Sequence, residues 1–258
     1  AALSPGDVVI LRAYAKYRGR LAKTDPIDVR LIAEFGRDTP GLGLHRKPTV
    51  AQAELRALVA RRSELDQARG AERARLEHTQ SKVVVASINR QIKSLEKDIA
   101  EIEAELESLV AETEQFETDT ALMRSVVGIG FISAVSILAY VPELGTIGRG
   151  TVAALAGLAP YDDTSGTHDG VRHIAGGRAE ARQALYMSAI VAIRANPHLK
   201  DLAARIKAKG RPSKVAITAV MRKLLIILNA VVRDGKPCKM SAAARQDKNR
   251  PRNAPIPA

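Results

Sequence analysis

With 258 residues, the chain can form one large or two ordinary domains, and a hydrophobic fraction of 46% supports a substantial core. Only 3% of the residues are aromatic and none is Trp, which favours helices packed on helices over a β-sandwich. The single cysteine, Cys238, excludes a disulfide framework and a zinc site built from the cysteines of one chain, as is usual in a reducing cytoplasm.

The charge is strongly positive and unevenly spread. The net charge is +12, although the stretch from Lys93 to Asp119 holds ten acidic and two basic residues. A chain this basic is typical of proteins that bind nucleic acid, and a solvated arginine-rich surface is the alternative. We take the run from Val126 to Val141 as the most apolar segment. It is interrupted by Gly and Ser and is shorter than the roughly 20 residues of a membrane helix, so we expect no membrane segment.

The N-terminal segment places two aspartates in the first turn of a predicted helix. In the string KTDPIDVRLIAEFG, Thr24 is a suitable N-cap, Pro26 fits the first turn, and Gly36 ends the apolar stripe. Asp25 and Asp28 are three residues apart and therefore share one face of the helix. They would bind a divalent cation such as Mg²⁺, or simply complement the positive end of the helix dipole. Spacing alone favours the second interpretation.

Residues 49–118 contain no proline and have the pattern of long helices, with an interruption expected around Gly70. In the second half, apolar residues alternate in spacings of three and four, the a/d seam of a coiled coil. The seam consists of Val85, Ile88, Ile92, Leu95, Ile99, Ile102, Leu106 and Leu109. An antiparallel hairpin, a dimer between two chains, or both would bury this seam, and the sequence leaves the choice open.

Beyond Thr120 the chain becomes rich in glycine. The string SVVGIGFISAVSIL has the form of a helix-hairpin-helix, with a turn at Gly128 and Gly130. Glycine at both positions allows the following backbone N–H groups to point at a phosphate. We therefore expect this turn to contact nucleic acid.

Further helices and one polar loop follow this turn. The predicted helices cover about residues 151–158, 178–195, 197–209 and 212–233. The polar loop covers residues 161–177 and is made of turn residues. The last helix presents a basic face, on which Lys214, Arg222 and Lys223 are candidates for DNA binding. The tail beyond Gly235 is rich in Pro, Lys and Arg and is predicted to be disordered.

Ser165, in the polar loop, is the candidate nucleophile. A Ser-His-Asp hydrolase is disfavoured because the chain has no G-x-S-x-G motif. A serine that attacks a phosphodiester fits its neighbours better, since Arg178 and Arg182 could hold the non-bridging oxygens and stabilise the transition state. A Ser-Gly turn without a catalytic role is the remaining alternative.

Several strings occur in one order between about Arg12 and Lys236. They are GRLAKTDPIDVRLIAEFG, the apolar seam, SVVGIGFISAVSILAYV, VAALAGLAPYDDTSG, GGRAEARQALYMSAI followed by NPHL, and KVAITAVMRKLLIILNAVV. Together they resemble the IS110 family of insertion-sequence transposases (the IS116/IS110/IS902 type). Because several motifs recur in one order, the resemblance is much more specific than any one of them.

The resemblance implies an N-terminal RuvC-like domain with an Asp-Glu-Asp-Asp metal site and a C-terminal transposase domain with a catalytic serine. In this chain, Asp25 and Asp28 would be the last two acidic ligands of a Mg²⁺ site, and Ser165 would form a covalent phosphoserine link with DNA. The resemblance also implies a homodimer or tetramer assembled through the coiled coil, and a non-coding guide RNA. It allows the metal site and the serine to come from different subunits.

We therefore expect a mainly α fold in a cytoplasmic, nucleoid-associated bacterial protein. The expected parts are a remnant of a RuvC-like α/β domain at 1–48, a coiled coil at 49–119, an all-α domain with the helix-hairpin-helix and the serine loop at 120–236, and a basic tail at 237–258. The first Asp and the Glu of the metal site would lie upstream of residue 1, so we expect a truncated chain that cannot cleave DNA alone. A non-catalytic, DNA-binding dimeric remnant or regulator is the alternative.

Overall fold

The computed structural model describes residues 11, 13–19, 25–38, 48–161, 164–165, 168–169 and 173–238, and for residues 25, 26, 161, 164, 165, 168 and 169 it describes the backbone alone. The chain divides into two compact units, Ala1–Pro48 and Thr49–Ala258. Regular structure in the described residues is almost entirely helical, which confirms the prediction of a mainly α fold.

The first unit has a small apolar core of its own. Its described part consists of a helical segment at residues 13–17 and of helix α1 (Asp25–Asp38). The Tyr14 ring meets the Phe35 ring edge-on at a centroid distance of 5.4 Å, and the Tyr14 hydroxyl donates a hydrogen bond to Asp38. Among the described residues of this unit, Leu11, Leu31 and Phe35 are the buried apolar side chains.

Helix α1 is longer than predicted. The sequence suggested an end at Gly36, whereas the helix continues to Asp38. A glycine inside a helix costs only about 1 kcal/mol relative to alanine, and the hydrogen bond from Tyr14 to Asp38 holds the added turn. Thr24, the predicted N-cap, lies outside the described residues.

Two long helices, α2 (Val50–Glu77) and α3 (Lys82–Glu112), form a helical hairpin. Arg62 pairs with Glu103 at 2.6 Å, and Arg73 pairs with Glu96 at 2.8 Å. Arg73 follows Arg62 in α2, whereas its partner Glu96 precedes Glu103 in α3. The two helices are therefore antiparallel.

The hairpin of a single chain buries the predicted apolar seam. All eight seam residues are buried or half-buried. Leu65, Leu95 and Ile99 form an apolar cluster of their own between the two helices, whereas Leu55 and Leu106 belong to the main core. Contact between two chains through this seam remains a prediction.

The expected interruption around Gly70 is wrong. Helix α2 runs through Gly70, and the chain reverses direction only at residues 78–81. Twenty-eight residues of helix that pack against α3 outweigh the low helix propensity of one glycine.

Six shorter helices follow the helical hairpin in the described part of the second unit. They are α4 (Glu114–Arg124), α5 (Phe131–Tyr140), α6 (Arg149–Leu155), α7 (Ala179–Ala195), α8 (Pro197–Ala208) and α9 (Ser213–Asp234). The last three lie within one residue of their predicted bounds. Helix α6 is shifted towards the N-terminus and ends before Gly157, which takes a positive φ of 64°.

Helix α9 is central to this unit. It contacts α4, α6, α7 and α8, and Val220, Leu224, Leu225 and Leu228 are fully buried. Among the described helices, α9 is the one long and apolar enough to span a membrane, whereas the apolar helix α5, within Val126–Val141, is too short. The burial of α9 against neighbouring helices is that of a core helix.

The described residues between α6 and α7 include four strands of two residues each. They are β1 (Pro160–Tyr161), β2 (Thr164–Ser165), β3 (His168–Asp169) and β4 (His173–Ile174). The prediction of an all-α domain with a polar loop is therefore wrong in this segment. Pro160 and the glycines that follow disfavour a helix, and backbone groups outside helices find their partners by pairing across a hairpin.

Candidate active site and nucleic-acid interface

Ser165 lies in a short β-hairpin, which we call the serine hairpin (residues 160–174). Strand β1 pairs antiparallel with β4, with Pro160 opposite Ile174. Strand β2 pairs antiparallel with β3, which places Ser165 opposite His168. Only two residues separate Ser165 from His168 in the sequence, so the connection between β2 and β3 is very short.

Glycines allow the chain to cross itself closely at the base of the serine hairpin. Gly157 and Gly177 both have a φ of 64°, in the left-handed region. A Cβ on Gly157 would overlap the carbonyl oxygen of Gly176, and a Cβ on Gly177 would overlap the backbone of Gly157. Glycine is therefore required at both positions for steric as well as conformational reasons.

Arg182 closes the base of the hairpin from helix α7. Its Nη1 donates hydrogen bonds to the carbonyl oxygens of Ala156, at 3.1 Å, and Gly176, at 2.5 Å. These two residues lie on opposite sides of the serine hairpin in the sequence, so one guanidinium ties its two ends together. The backbone N–H of Arg178 adds a third connection by donating to the carbonyl of Leu155 at 2.8 Å.

Arg178 makes a bidentate ion pair with Glu143. Its Nη1 and Nη2 donate to the two carboxylate oxygens of Glu143 at 2.6 and 2.7 Å, and Nη1 also donates to the carbonyl of Tyr140 at 2.9 Å. The hydrogen bonds to Glu143 raise the pKa of Arg178 above its ordinary value, while partial burial acts in the opposite direction. Arg178 therefore stays charged and paired.

Glu143 belongs to a loop that is fixed to helix α9. Asn229, which is buried in α9, accepts a hydrogen bond from the N–H of Gly145 and donates one to the carbonyl of Ile147, each at 2.8 Å. Gly145 has a φ of 85°, and a Cβ there would come within 2.7 Å of Val232. Sequence reasoning missed Glu143 and Asn229, because their partners lie 35 and more residues away.

The two arginines proposed as phosphate ligands therefore have protein partners. Arg178 is held by Glu143, and Arg182 by backbone carbonyls at the hairpin base. Both side chains remain partly exposed. Their contact with DNA stays a prediction, and the geometry adds an anchoring role for each.

The predicted glycine turn joins α4 to α5, and its two glycines differ in environment. Gly128 has a φ of 101°, and a Cβ on it would come within 2.7 Å of the Ala192 side chain, so Gly128 permits close packing on α7. Gly130 is the N-cap of α5, is exposed, and has open space around its Cα. The N–H groups of the first turn of α5 lack a side-chain cap, which suits the predicted phosphate contact at Gly130 better than at Gly128.

The basic face predicted on α9 extends onto α8. Lys214 and Lys223 are exposed, whereas Arg222 is half-buried. Between His198 and Lys223 the chain has eight basic residues and one acidic residue. The basic residues that sequence reasoning missed are Lys200, Arg205, Lys207, Lys209 and Arg211, all of them exposed.

A cleft of about 690 Å³ lies between these two helices, lined by His198, Arg205 and Lys223 among others. Its cationic side chains suit contacts to a phosphate backbone. The density of Lys and Arg in the string NPHLKDLAARIKAKGRPSK was the available sequence signal for this surface.

Asp25 and Asp28 lie in the first turn of α1, as predicted. Asp28 is half-buried, and carboxylate oxygens suit a hard cation such as Mg²⁺. The described residues contain no group of three or more His, Cys, Asp or Glu side chains that could hold a metal ion. Two aspartates by themselves do not make up a metal site.

Residues 120–204 match the family model described as "Transposase IS116/IS110/IS902 family". This stretch contains the glycine turn, the serine hairpin, and helix α7 with its N-cap Arg178, so it includes both anchoring arginines. Residues 120–204 are therefore similar to the transposases of insertion sequences.

Curated relatives extend the match over most of the chain. The pilin gene-inverting proteins of Moraxella lacunata and Moraxella bovis are each 29% identical over 232 residues, which cover 88% of this chain and 71% of each relative. The "Insertion element IS110 uncharacterized 43.6 kDa protein" of Streptomyces coelicolor is 30% identical over 122 residues, which cover 44% of this chain and 29% of that protein. The match over residues 120–204 and the similarity to these relatives agree on one family, the IS110 family of transposases.

Proposed function

We propose that this chain takes part in DNA strand cleavage and exchange, with Ser165 as the nucleophile. The observation that carries the proposal is the position of Ser165: it pairs with His168 within a hairpin whose base is fixed by Arg182 and by close glycine contacts. An anchored support of this kind limits the freedom of a reacting group, which favours catalysis. The relatives named for pilin gene inversion support recombination as the reaction class.

The proposed step is a transesterification. The Oγ atom of Ser165 attacks the phosphorus of a DNA phosphodiester and loses its proton to a base, and the bond from phosphorus to the leaving deoxyribose oxygen breaks. A hydroxyl of another DNA strand then attacks the phosphoserine, which releases Ser165 and joins the new strands. One phosphodiester is broken and one is formed, so the cycle needs no external energy source.

DNA would lie along the basic surface of α8 and α9. Lys214 and Lys223, together with the basic residues of α8, provide contacts that do not depend on base sequence. A guide RNA would use the same kind of contact. Assembly into a homodimer or tetramer through the helical hairpin would bring further copies of these surfaces together.

Asp25 and Asp28 are proposed to contribute to a Mg²⁺ site. Because no group of three ligands occurs among the described residues, the two aspartates would bind the ion only together with other oxygen ligands. When bound, such an ion would neutralise phosphate charge. We assign no individual step of the reaction to it.

The test is Ser165→Ala in the protein expressed from its complete reading frame. Labelled DNA that contains the ends of the element is incubated with the protein and resolved by denaturing electrophoresis, where a covalent adduct migrates with the protein. We expect the adduct to disappear in Ser165→Ala and to persist in Ser213→Ala, a control at an exposed serine. Adducts formed by Ser165→Ala would show that another residue is the nucleophile.

The same assay distinguishes a recombinase from the main alternative, a DNA-binding regulator. A wild-type protein that binds the DNA but forms no adduct and exchanges no strands would be a DNA-binding regulator and not a recombinase. That result would overturn the proposed reaction.

A further inference from the structure

We propose that Glu143 is a positioning residue for strand cleavage, because its pair with Arg178 fixes the base of the serine hairpin. The inference rests on the proposed function, since it takes Ser165 to be the nucleophile. Glu143 itself is not proposed to contact DNA.

The first step of the argument is the place of Arg178 in the chain. Arg178 is the N-cap residue of α7 and directly follows Gly177, where the serine hairpin joins the helix. Any displacement of Arg178 therefore moves the end of the hairpin. A bidentate pair restricts both translation and rotation of the guanidinium, which a single hydrogen bond does not.

The second step is that Glu143 is itself held in place. The loop that carries it is fixed by two hydrogen bonds to Asn229, a residue only 2% exposed. The close approach of Gly145 to Val232 seats the same loop on α9. The core helix α9 is therefore connected to the serine hairpin through the loop, Glu143 and Arg178.

The third step concerns charge. Glu143 neutralises Arg178, and the side chains of the pair are 34% and 29% exposed, so solvent screens the interaction only in part. An arginine that bound DNA phosphate in this position would have to give up hydrogen bonds to Glu143. A phosphate would also approach the Glu143 carboxylate, which it would repel. The geometry thus favours positioning over phosphate binding for Arg178.

A positioning role and a phosphate-binding role for Arg178 predict different effects of Glu143→Gln. If the pair positions the hairpin, the neutral amide weakens the anchor and the rate of adduct formation falls. If Arg178 is a phosphate ligand, loss of the competing carboxylate frees its charge, and DNA binding becomes tighter.

The experiment measures adduct formation by the protein from the complete reading frame over a range of DNA concentrations. It gives the maximal rate and the half-saturating DNA concentration separately. For Glu143→Gln we expect the maximal rate to fall about tenfold or more, because small displacements of reacting groups have large effects on rate. We expect the half-saturating concentration to stay unchanged.

A matched control makes the same substitution in another ion pair. Glu103 pairs with Arg62 at 2.6 Å between α2 and α3 and is 36% exposed, close to the value for Glu143. Glu103→Gln is expected to leave both kinetic quantities unchanged. Equal losses in Glu103→Gln and Glu143→Gln would reflect general destabilisation and would overturn the positioning role.

Two further outcomes are decisive. Tighter DNA binding by Glu143→Gln at an undiminished rate would assign Arg178 to phosphate binding. If Glu143→Gln does not fold, Glu143→Asp takes its place. Aspartate keeps the charge, but its shorter side chain does not reach the Arg178 guanidinium in the same geometry. A wild-type rate in Glu143→Asp would contradict the proposal. Ser165→Ala is run in parallel, so that adducts in that variant overturn the nucleophile and not the positioning role alone.

Discussion

Asp119 is a buried carboxylate of helix α4. It is 9% exposed and accepts a hydrogen bond from Gln115 at 2.9 Å. Burial raises the pKa of Asp119, and the hydrogen bond from Gln115 offsets part of that effect. A carboxyl with a higher pKa in the folded than in the unfolded state binds its proton more tightly when folded. Its contribution to stability is therefore fully present below the ordinary pKa of aspartate and is lost as the pH rises through the raised value.

We predict that Asp119→Asn raises the free energy of unfolding at neutral pH by about 1 kcal/mol, because a neutral amide costs less to bury than a carboxylate. The gain should shrink as the pH falls and the wild-type carboxyl becomes protonated. Urea unfolding at neutral and at acidic pH measures both effects. Glu117→Gln, on the exposed side of the same helix, is the control and should change stability little. A gain that does not depend on pH would contradict the explanation.

At the scale of the helices, Gly70 lies in the interior of α2 without a local reason to be glycine. It has no positive φ, and a Cβ built on it would meet nothing within 4 Å. We predict that Gly70→Ala stabilises the protein by about 0.5–1 kcal/mol, because alanine loses less backbone entropy in a helix.

Thermal or urea unfolding measures the change, with Gly157→Ala as the contrast. Gly157 has a positive φ and contacts the backbone of Gly176 and Gly177, so alanine there should destabilise. No gain from Gly70→Ala would show that α2 does not behave as one continuous helix.

The helices could largely be predicted, because their signals are local. The bounds of α7, α8 and α9 follow from the 3.6-residue period of their apolar residues and from flanking Gly and Pro. The spacing of apolar residues in α3 likewise predicts its buried seam. The sequence does not predict the position of the break between α2 and α3, because packing against α3 outweighs the low helix propensity of Gly70.

The candidate site could be predicted only in part. Ser165 was identified through the family resemblance, while the strands around it depend on pairing between residues some distance apart in the chain. The pair between Glu143 and Arg178 spans 35 residues, and no local pattern indicates it. The packing of Gly128 on Ala192 is equally non-local, which is why the sequence suggested only a phosphate contact for Gly128.

At the scale of the molecule, a net charge of +12 coexists with the acidic stretch Lys93–Asp119, so the cations are concentrated elsewhere. We predict that replacing Lys207, Lys209 and Arg211 by Gln reduces the salt dependence of DNA binding. If each contacts one phosphate, the slope of log K against log salt concentration should decrease in magnitude by about 2 to 3, because each contact releases condensed counterions.

Fluorescence anisotropy with duplex DNA over a range of salt concentrations measures the slope. The control replaces three arginines of the hairpin that have acidic neighbours, Arg61, Arg69 and Arg75, and should leave the slope unchanged. An equal change in both variants would mean that total charge, and not the basic surface of α8 and the turn after it, governs binding.

In the described part of the chain, the helical hairpin of α2 and α3 joins the main core at one end. Helix α3, with 31 residues, is about 46 Å long at 1.5 Å per residue, and its N-terminal half packs mainly on α2. Adding or removing one seven-residue repeat in each helix near residues 78–81 would preserve the seam. Such a change would leave the domain that carries Ser165 untouched. The length of the helical hairpin can therefore change without altering the architecture around the serine hairpin.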